Sequence, residues 1–200
     1  ALQLAVFTSR LANGRKAVTP RLIKSIGGVE QAPSRDFADL PYDPDWIRVL
    51  REGMEAVTEA GGTGFRNSQL GLGPVRMAGK TGTAQSRNYG SGARGGAGRP
   101  WAQKDHNLFI AYAPVDNPRY AVSVIIQHGG LGGGTAGAPR AREIMKVVLL
   151  KDDAIRQRVE QAGFAETPDD PGAHETESLI VPSAPAAPSG PRPYLPEPPQ

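Results

Sequence analysis

"RMAGKTGTAQ", residues 76–85, decides how this chain is read. It sets the ammonium of Lys80 beside the hydroxyls of Thr81 and Thr83, with only Gly82 between them. The first candidate is the phosphate-cradling loop G-x-x-x-x-G-K-[ST], because Lys80 and Thr81 follow Gly79. That loop needs a glycine five positions before Gly79, where the backbone bends around a phosphate and donates N–H groups. Pro74 stands there and has no N–H, and Gly73 is one residue too early. Read instead as a strand, the stretch sends Lys80 and Gly82 to one face and Thr81 and Thr83 to the other. At a sheet edge facing a groove, such a strand suits an extended peptide that ends in a carboxylate. The peptide adds as a further strand, and Gly82 lets it lie close. Lys80 and the threonine hydroxyls take up the carboxylate, and a backbone N–H near Thr83 can stabilise an oxyanion in acyl transfer.

The elements around this strand follow from periodicity and punctuation. Leu4, Phe7 and Leu11 predict a helix over residues 1–13, stopped by Gly14. "AVTPRLIKSIGG" predicts a short extended segment, and residues 30–43 a loop. Asp43 caps a second helix, Pro44 suits its first position, and Gly61 and Gly62 end it. Its apolar stripe is Ile47, Leu50, Met54 and Val57, and Gly53 inside it implies close packing. Residues 106–114 and 119–129 predict two strands joined through "VDNP", an antiparallel hairpin. Both faces of the last strand are mostly apolar, Tyr120, Val122, Val124 and Ile126 on one and Ala121, Ser123, Ile125 and Gln127 on the other. This implies a strand interior to a sheet covered on two sides. Ala141, Ile144, Met145 and Val148 mark a closing helix, which "KDDAIRQRVEQAGF" extends or follows as a separate one.

Between the first two strands lies "SRNYGSGARGGAGRPWAQKD", glycine-rich and long enough to be functional or disordered. Trp101 is expected to anchor its far end. Its formal G-x-G-x-x-G, Gly90 to Gly95, lacks the helix a dinucleotide site needs, since Gly96, Gly98 and Pro100 follow. From residue 164 the chain turns proline-rich and poor in large apolar residues, and a disordered tail over 164–200 is expected behind a domain over 1–163.

The bulk numbers exclude several classes. The 200 residues carry 23 basic and 20 acidic side chains, a net charge of +3. Scattered basic residues argue against nucleic acid as a partner. The absence of cysteine removes disulfide and thiolate metal sites. His106, His128 and His174 lie far apart in sequence, so no metal is expected, nor any cofactor. No apolar run approaches the ~20 residues of a membrane span, and no signal peptide is visible. The chain starts in helix-like sequence without an initiator Met, as the interior of a longer protein would.

"KTGTAQ" resembles the Lys-Thr-Gly box of the penicillin-binding proteins and serine β-lactamases, which goes with S-x-x-K and S-D-N motifs. "LQLAVFTSRLANG", "HNLFIAYAPVDNPRYAVSVII" and "RAREIMKVVL" extend the resemblance, over residues 1 to about 150, to the class B penicillin-binding proteins, most closely the penicillin-binding protein 2 branch. The resemblance implies the C-terminal part of an α+β, serine β-lactamase/transpeptidase-like fold, an antiparallel sheet flanked by helices. It implies a peptidoglycan D,D-transpeptidase of cell-wall elongation, working through a serine acyl-enzyme on D-Ala-D-Ala stem peptides and trapped by β-lactam antibiotics. A D,D-carboxypeptidase or β-lactamase-type hydrolase and a non-catalytic penicillin-binding sensor are the alternatives. By the same resemblance Lys80 and Thr83 are catalytic, Thr83 through its N–H in the oxyanion hole. Lys80, Thr81, Gly82 and Thr83 bind substrate. It further implies an N-terminal membrane anchor, the periplasmic face of the bacterial inner membrane, and a glycosyltransferase of the shape/elongation/division family as partner. No serine here has Lys three residues on. Ser34-Arg35-Asp36 and Ser86-Arg87-Asn88 look like the second motif but lie in the wrong places relative to the box. The nucleophile is therefore expected upstream of Ala1.

Overall fold

The computed structural model describes residues 1–32, 36–88 and 95–164. Its helices are α1 (Leu2–Ala12), α2 (Pro44–Thr58), α3 (Phe65–Ser68), α4 (Ala138–Leu150) and α5 (Asp153–Gln161). Its strands are β1 (Ser25–Ile26), β2 (Val29–Glu30), β3 (Ala78–Ala84), β4 (His106–Ala113) and β5 (Tyr120–Ile126). β1 and β2 make a small hairpin whose turn is Gly27–Gly28, both at positive φ. A two-residue hairpin turn of this hand needs that conformation, which glycine adopts without a Cβ penalty.

The principal sheet is antiparallel, in the order β3-β4-β5. Lys80 stands opposite Ile110, Thr83 opposite Asn107 and Ala84 opposite His106. Alternation along β4 divides the core in two. Phe109, Ala111 and Ala113 face α4 and α5, packing with Ala141, Met145, Leu149, Ile155 and Val159. Tyr112, with Ala78, faces α1 and α2, packing with Leu11, Ala12, Ile47 and Met54. Burying a side chain as large as Phe109 contributes about 1.5–3 kcal/mol. The α+β architecture with helices on both faces is the one expected.

Several local expectations change. β5 is covered on two sides, by α1 and by α4, yet among the described residues it is an edge strand. Apolar residues on both faces report cover above and below, not hydrogen-bonded neighbours. In α1 the buried face is Thr8, Leu11 and Ala12, and Phe7 is half exposed. In α2 Ile47, Met54 and Thr58 go inward while Leu50 stays out beside Trp46 and Val49. Gly53 has nothing within 4 Å of where a Cβ would sit, so it marks no close packing. In α4 Ile144 is exposed and Leu149 takes its place in the core.

The second helix begins as read: the Asp43 carboxylate accepts from the N–H of Asp45, with Pro44 in the first turn. α5 is a separate helix, capped by Asp152, which accepts from Ala154 and Ile155. The Tyr120 hydroxyl donates to Asp152 at 3.1 Å, and Arg119 pairs with it at 3.1 Å, so this cap ties α5 to β5. Burial works against the charge on Asp152, but these donors outweigh it and hold its pKa below the ordinary carboxylate value. The tail read over 164–200 lies, from residue 165 on, outside the described residues.

Candidate active site

Lys80, Thr81, Gly82 and Thr83 all lie on β3, which is an edge of the sheet among the described residues. Lys80 and Thr83 are exposed, and Thr81 and Gly82 are half-buried. The faces are those that alternation predicts. Lys80 and Gly82 share the face of Ala78, and Thr81 and Thr83 share that of Gly79, which abuts Phe109. The strand is fixed at its buried start, where the Thr58 hydroxyl donates to the Met77 carbonyl at 2.7 Å. Arg76, just before it, pairs with Glu59 of the α2 C-cap at 2.8 Å.

Two segments converge on the strand. The first follows the helix stop read at Gly61 and Gly62 and carries Thr63, whose Oγ1 lies 3.2 Å from Thr81 Oγ1. Asn67 of α3 donates to the carbonyl of Gly134 at 3.0 Å. The second segment is a single π-helical turn, Gly133–Gly137, leading into α4. A Cβ on Gly133 would sit 2.1 Å from the Leu108 carbonyl and 2.7 Å from the Gly82 nitrogen. The turn therefore rests on the β3 and β4 backbones at Gly82 itself. Thr63, Asn67, Gly134 and Thr135 help line a cleft of about 550 Å³ next to Thr81.

The Lys80 ammonium donates to the carbonyl of Thr81 at 2.9 Å. Along an antiparallel edge strand, alternate residues turn their peptide groups toward the partner strand and away from it. Thr83 has the same parity as Thr81.

Beyond Thr83 the strand meets a second cluster. Asp105 is buried: its carboxylate accepts from the N–H of Gly95 at 2.8 Å and of Ser86 at 3.3 Å. Asn107 Oδ1 accepts from the N–H of Gly132 at 3.0 Å. Asp105 pins the glycine-rich connection and Asn107 the Gly129–Gly132 loop, while Trp101, 65% exposed, adds its ring contact with His128. His106 and His128, distant in sequence, come together with ring centroids 4.5 Å apart. The described residues contain no group of three His, Cys, Asp or Glu able to hold a metal. His174, Ser34 and Gly90–Arg94 lie outside the described residues.

Residues 1–146 match the family model described as "Penicillin binding protein transpeptidase domain". The chain belongs to the penicillin-binding protein transpeptidase family. It is 36% identical over 154 residues to the peptidoglycan D,D-transpeptidase MrdA of Haemophilus influenzae, an alignment that covers 74% of this chain and 23% of that protein. It is similar to a crystal structure of Pseudomonas aeruginosa PBP2 in complex with WCK 5153, at 30% identity and a TM-score of 0.55 over 76% of this chain and 31% of that one. A complex between PBP2 and MreC from Helicobacter pylori matches at 24% identity and a TM-score of 0.56, over 76% of this chain and 25% of that one. At that identity the likeness carries the fold alone. The chain thus spans about a quarter of the length of the curated relatives it matches. Among the described residues no helix is long and apolar enough to cross a membrane.

Proposed function

We propose that this chain is the C-terminal part of the catalytic domain of a peptidoglycan D,D-transpeptidase of the penicillin-binding protein 2 type, and that β3 is one wall of its substrate groove. The observation that carries this is an edge strand with Lys80 and Thr83 exposed, in a chain of this family. A serine supplied by the part of the protein outside these residues attacks the carbonyl of the penultimate D-Ala and expels the terminal D-Ala. The amine of a neighbouring stem peptide then takes the acyl group, forming the crosslink and restoring the serine hydroxyl. Lys80 contributes positive potential beside that serine, and Thr81 and Thr83 take the substrate carboxylate. Gly82 leaves the strand open to close approach, and the Thr83 N–H faces the oxyanion. The contact of Lys80 with the Thr81 carbonyl supports this, because it directs that carbonyl, and by parity the Thr83 peptide, to the free edge.

β-Lactams acylate the same serine as substrate mimics. The domain limit falls near residue 163, ahead of the proline-rich tail over 164–200. An N-terminal anchor and a glycosyltransferase of the shape/elongation/division family complete the reading at the periplasmic face of the inner membrane. The test is labelling of the complete protein with a fluorescent penicillin. Lys80→Ala is expected to slow acylation on the order of 10²-fold, the scale of one lost electrostatic contact. The 200-residue chain by itself is expected to take no label. Unchanged labelling of Lys80→Ala removes the assigned role. Labelling of the isolated chain means that its nucleophile lies within it.

A further inference from the structure

A D,D-transpeptidase substrate is a peptide carried on a sugar chain, and β3 leaves its ligand one direction to run. Ala78 and Gly79 are buried, whereas Thr83 and Ala84 are exposed. A peptide whose carboxyl end lies at Lys80–Thr83 therefore extends past Ala84, toward the strand end opposite His106. There the molecule presents an indole ring in the open. Trp101, 65% exposed, leans on His128 with ring centroids 4.2 Å apart and the planes tilted by 49°.

This ring sits on a prepared support. Its short 3₁₀ turn, Trp101–Gln103, is closed by the N–H of Lys104 donating to the Trp101 carbonyl. The ring of His128 is held through Nδ1, which lies 3.0 Å from the Lys104 carbonyl and so carries its proton toward that oxygen. The His128 backbone N–H donates to His106 Nδ1 at 3.0 Å, which fixes the neighbouring ring. His128 holds a positive φ of 53°, a conformation that non-glycine residues seldom adopt. Asp105 locks the base of the loop through Gly95, and its carbonyl takes the N–H of Gly130 at 3.1 Å. The backbone that carries the indole is therefore ordered before a ligand arrives.

We infer that the Trp101–His128 pair is a subsite for a sugar ring of the glycan strand that carries the stem peptide, resting on the transpeptidase reading above. The route is one of contacts: His106 stands opposite Ala84, its ring lies 4.5 Å from that of His128, and the ring of Trp101 lies 4.2 Å from that of His128. The chemistry fits. An N-acetylated hexosamine offers an apolar C–H face to the indole, and its polar rim meets the ε-nitrogen of His128, the ring atom that the Lys104 contact leaves free. Loop residues that pin rather than touch, Asp105 above all, are positioning residues.

The experiment uses the complete protein and two acyl donors, the pentapeptide alone and the same pentapeptide on a disaccharide of N-acetylated hexosamines. The glycan-linked donor is expected to show the lower KM. Trp101→Ala raises that KM about three- to tenfold while the peptide-only KM moves far less, the scale of one aromatic stacking contact. Trp101→Phe retains most of the advantage. A second arm titrates the wild-type protein with the peptide-free disaccharide and follows tryptophan emission. A saturable change that Trp101→Phe abolishes is expected, which separates Trp101 from every other tryptophan of the protein and needs no turnover. The inference is overturned if Trp101→Ala shifts both donors equally, if the glycan advantage survives it, or if the disaccharide gives no saturable change. Absence of turnover of either donor by the wild-type protein overturns the transpeptidase reading, and this subsite with it.

Discussion

Gly133→Ala tests how β3, the candidate site strand, is held in place. The added methyl would sit 2.1 Å from the Leu108 carbonyl and 2.7 Å from both the nitrogen and the oxygen of Gly82. Ordinary contact begins near 3.4 Å, so relief requires a displacement of about 1 Å. All three atoms are backbone atoms of the β3–β4 pair, and no side chain can rotate out of the way. The cost therefore falls at or above the upper end of overpacking, about 3 kcal/mol. Either the π-helical turn lifts, loosening α4 at its start, or β3 moves at Gly82. A 1 Å misplacement of a positioning strand costs on the order of 10²-fold in rate. Gly53→Ala is the matched control, because Gly53 is exposed in mid-helix with open space around it and should gain up to about 1 kcal/mol. Both variants are made in the complete protein, then compared by thermal unfolding and by the second-order rate of penicillin acylation. A Gly133→Ala protein that melts and acylates like Gly53→Ala would refute the claim that this turn seats the strand.

Two further outcomes follow from polar groups inside the fold. Tyr112 is fully buried, among the described residues its hydroxyl makes no hydrogen bond of ordinary geometry, and burial raises its pKa although the Arg51 guanidinium, 5.8 Å above its ring, works the other way. Tyr112→Phe should therefore leave stability equal or raise it by about 1 kcal/mol in urea unfolding, and a loss would reveal a partner for that oxygen. Asp152 has a folded pKa below its unfolded value, so its stabilising effect is complete above the unfolded pKa near 4 and fades as pH falls through the folded one. Asp152→Asn should lower the melting temperature at pH 7, with the gap to wild type closing toward pH 2; a gap that stays constant with pH would mean that the charge is not what matters.

What the sequence made legible is what alternation and punctuation encode. The KTG strand, the hairpin through Asp116–Pro118, the Asp43 cap and the glycine stop after α2 each depend on residues close in the chain. Phe7 and Leu50 were misassigned for a different reason. They satisfy helical periodicity, but a helix has two flanks beside its buried line, and which flank meets the sheet is set by tertiary packing. Leu50 lies beside Trp46 and Val49 on an outward apolar flank, and nothing in the spacing separates that flank from Ile47 and Met54. β5 is similar: its apolar faces declare two covering layers and leave its position in the sheet open.

The residues that shape the candidate site were harder still to read, because their contribution runs through backbone atoms. Gly133 acts by what it lacks, and its neighbours Gly132 and Gly134 look identical in sequence. Asp105 and Asn107 look like a strand's polar approach, yet each takes backbone N–H groups from a separate glycine-rich loop, Gly95 for one and Gly132 for the other. The Thr63–Thr81 contact joins residues 18 apart through two hydroxyls that either segment could have sent to solvent. The glycine-rich loops therefore do more than connect strands. They let the π-helical turn approach β3 and β4 to backbone distance, bring the α2–α3 corner against that turn and against Phe109, and close the Trp101 loop onto Asp105. A chain that fixed its edge strand through side-chain packing alone would bring bulk to the face a ligand must use. Glycines behind the strand, answered by buried carboxamide and carboxylate acceptors, hold it while leaving Lys80 and Thr83 clear.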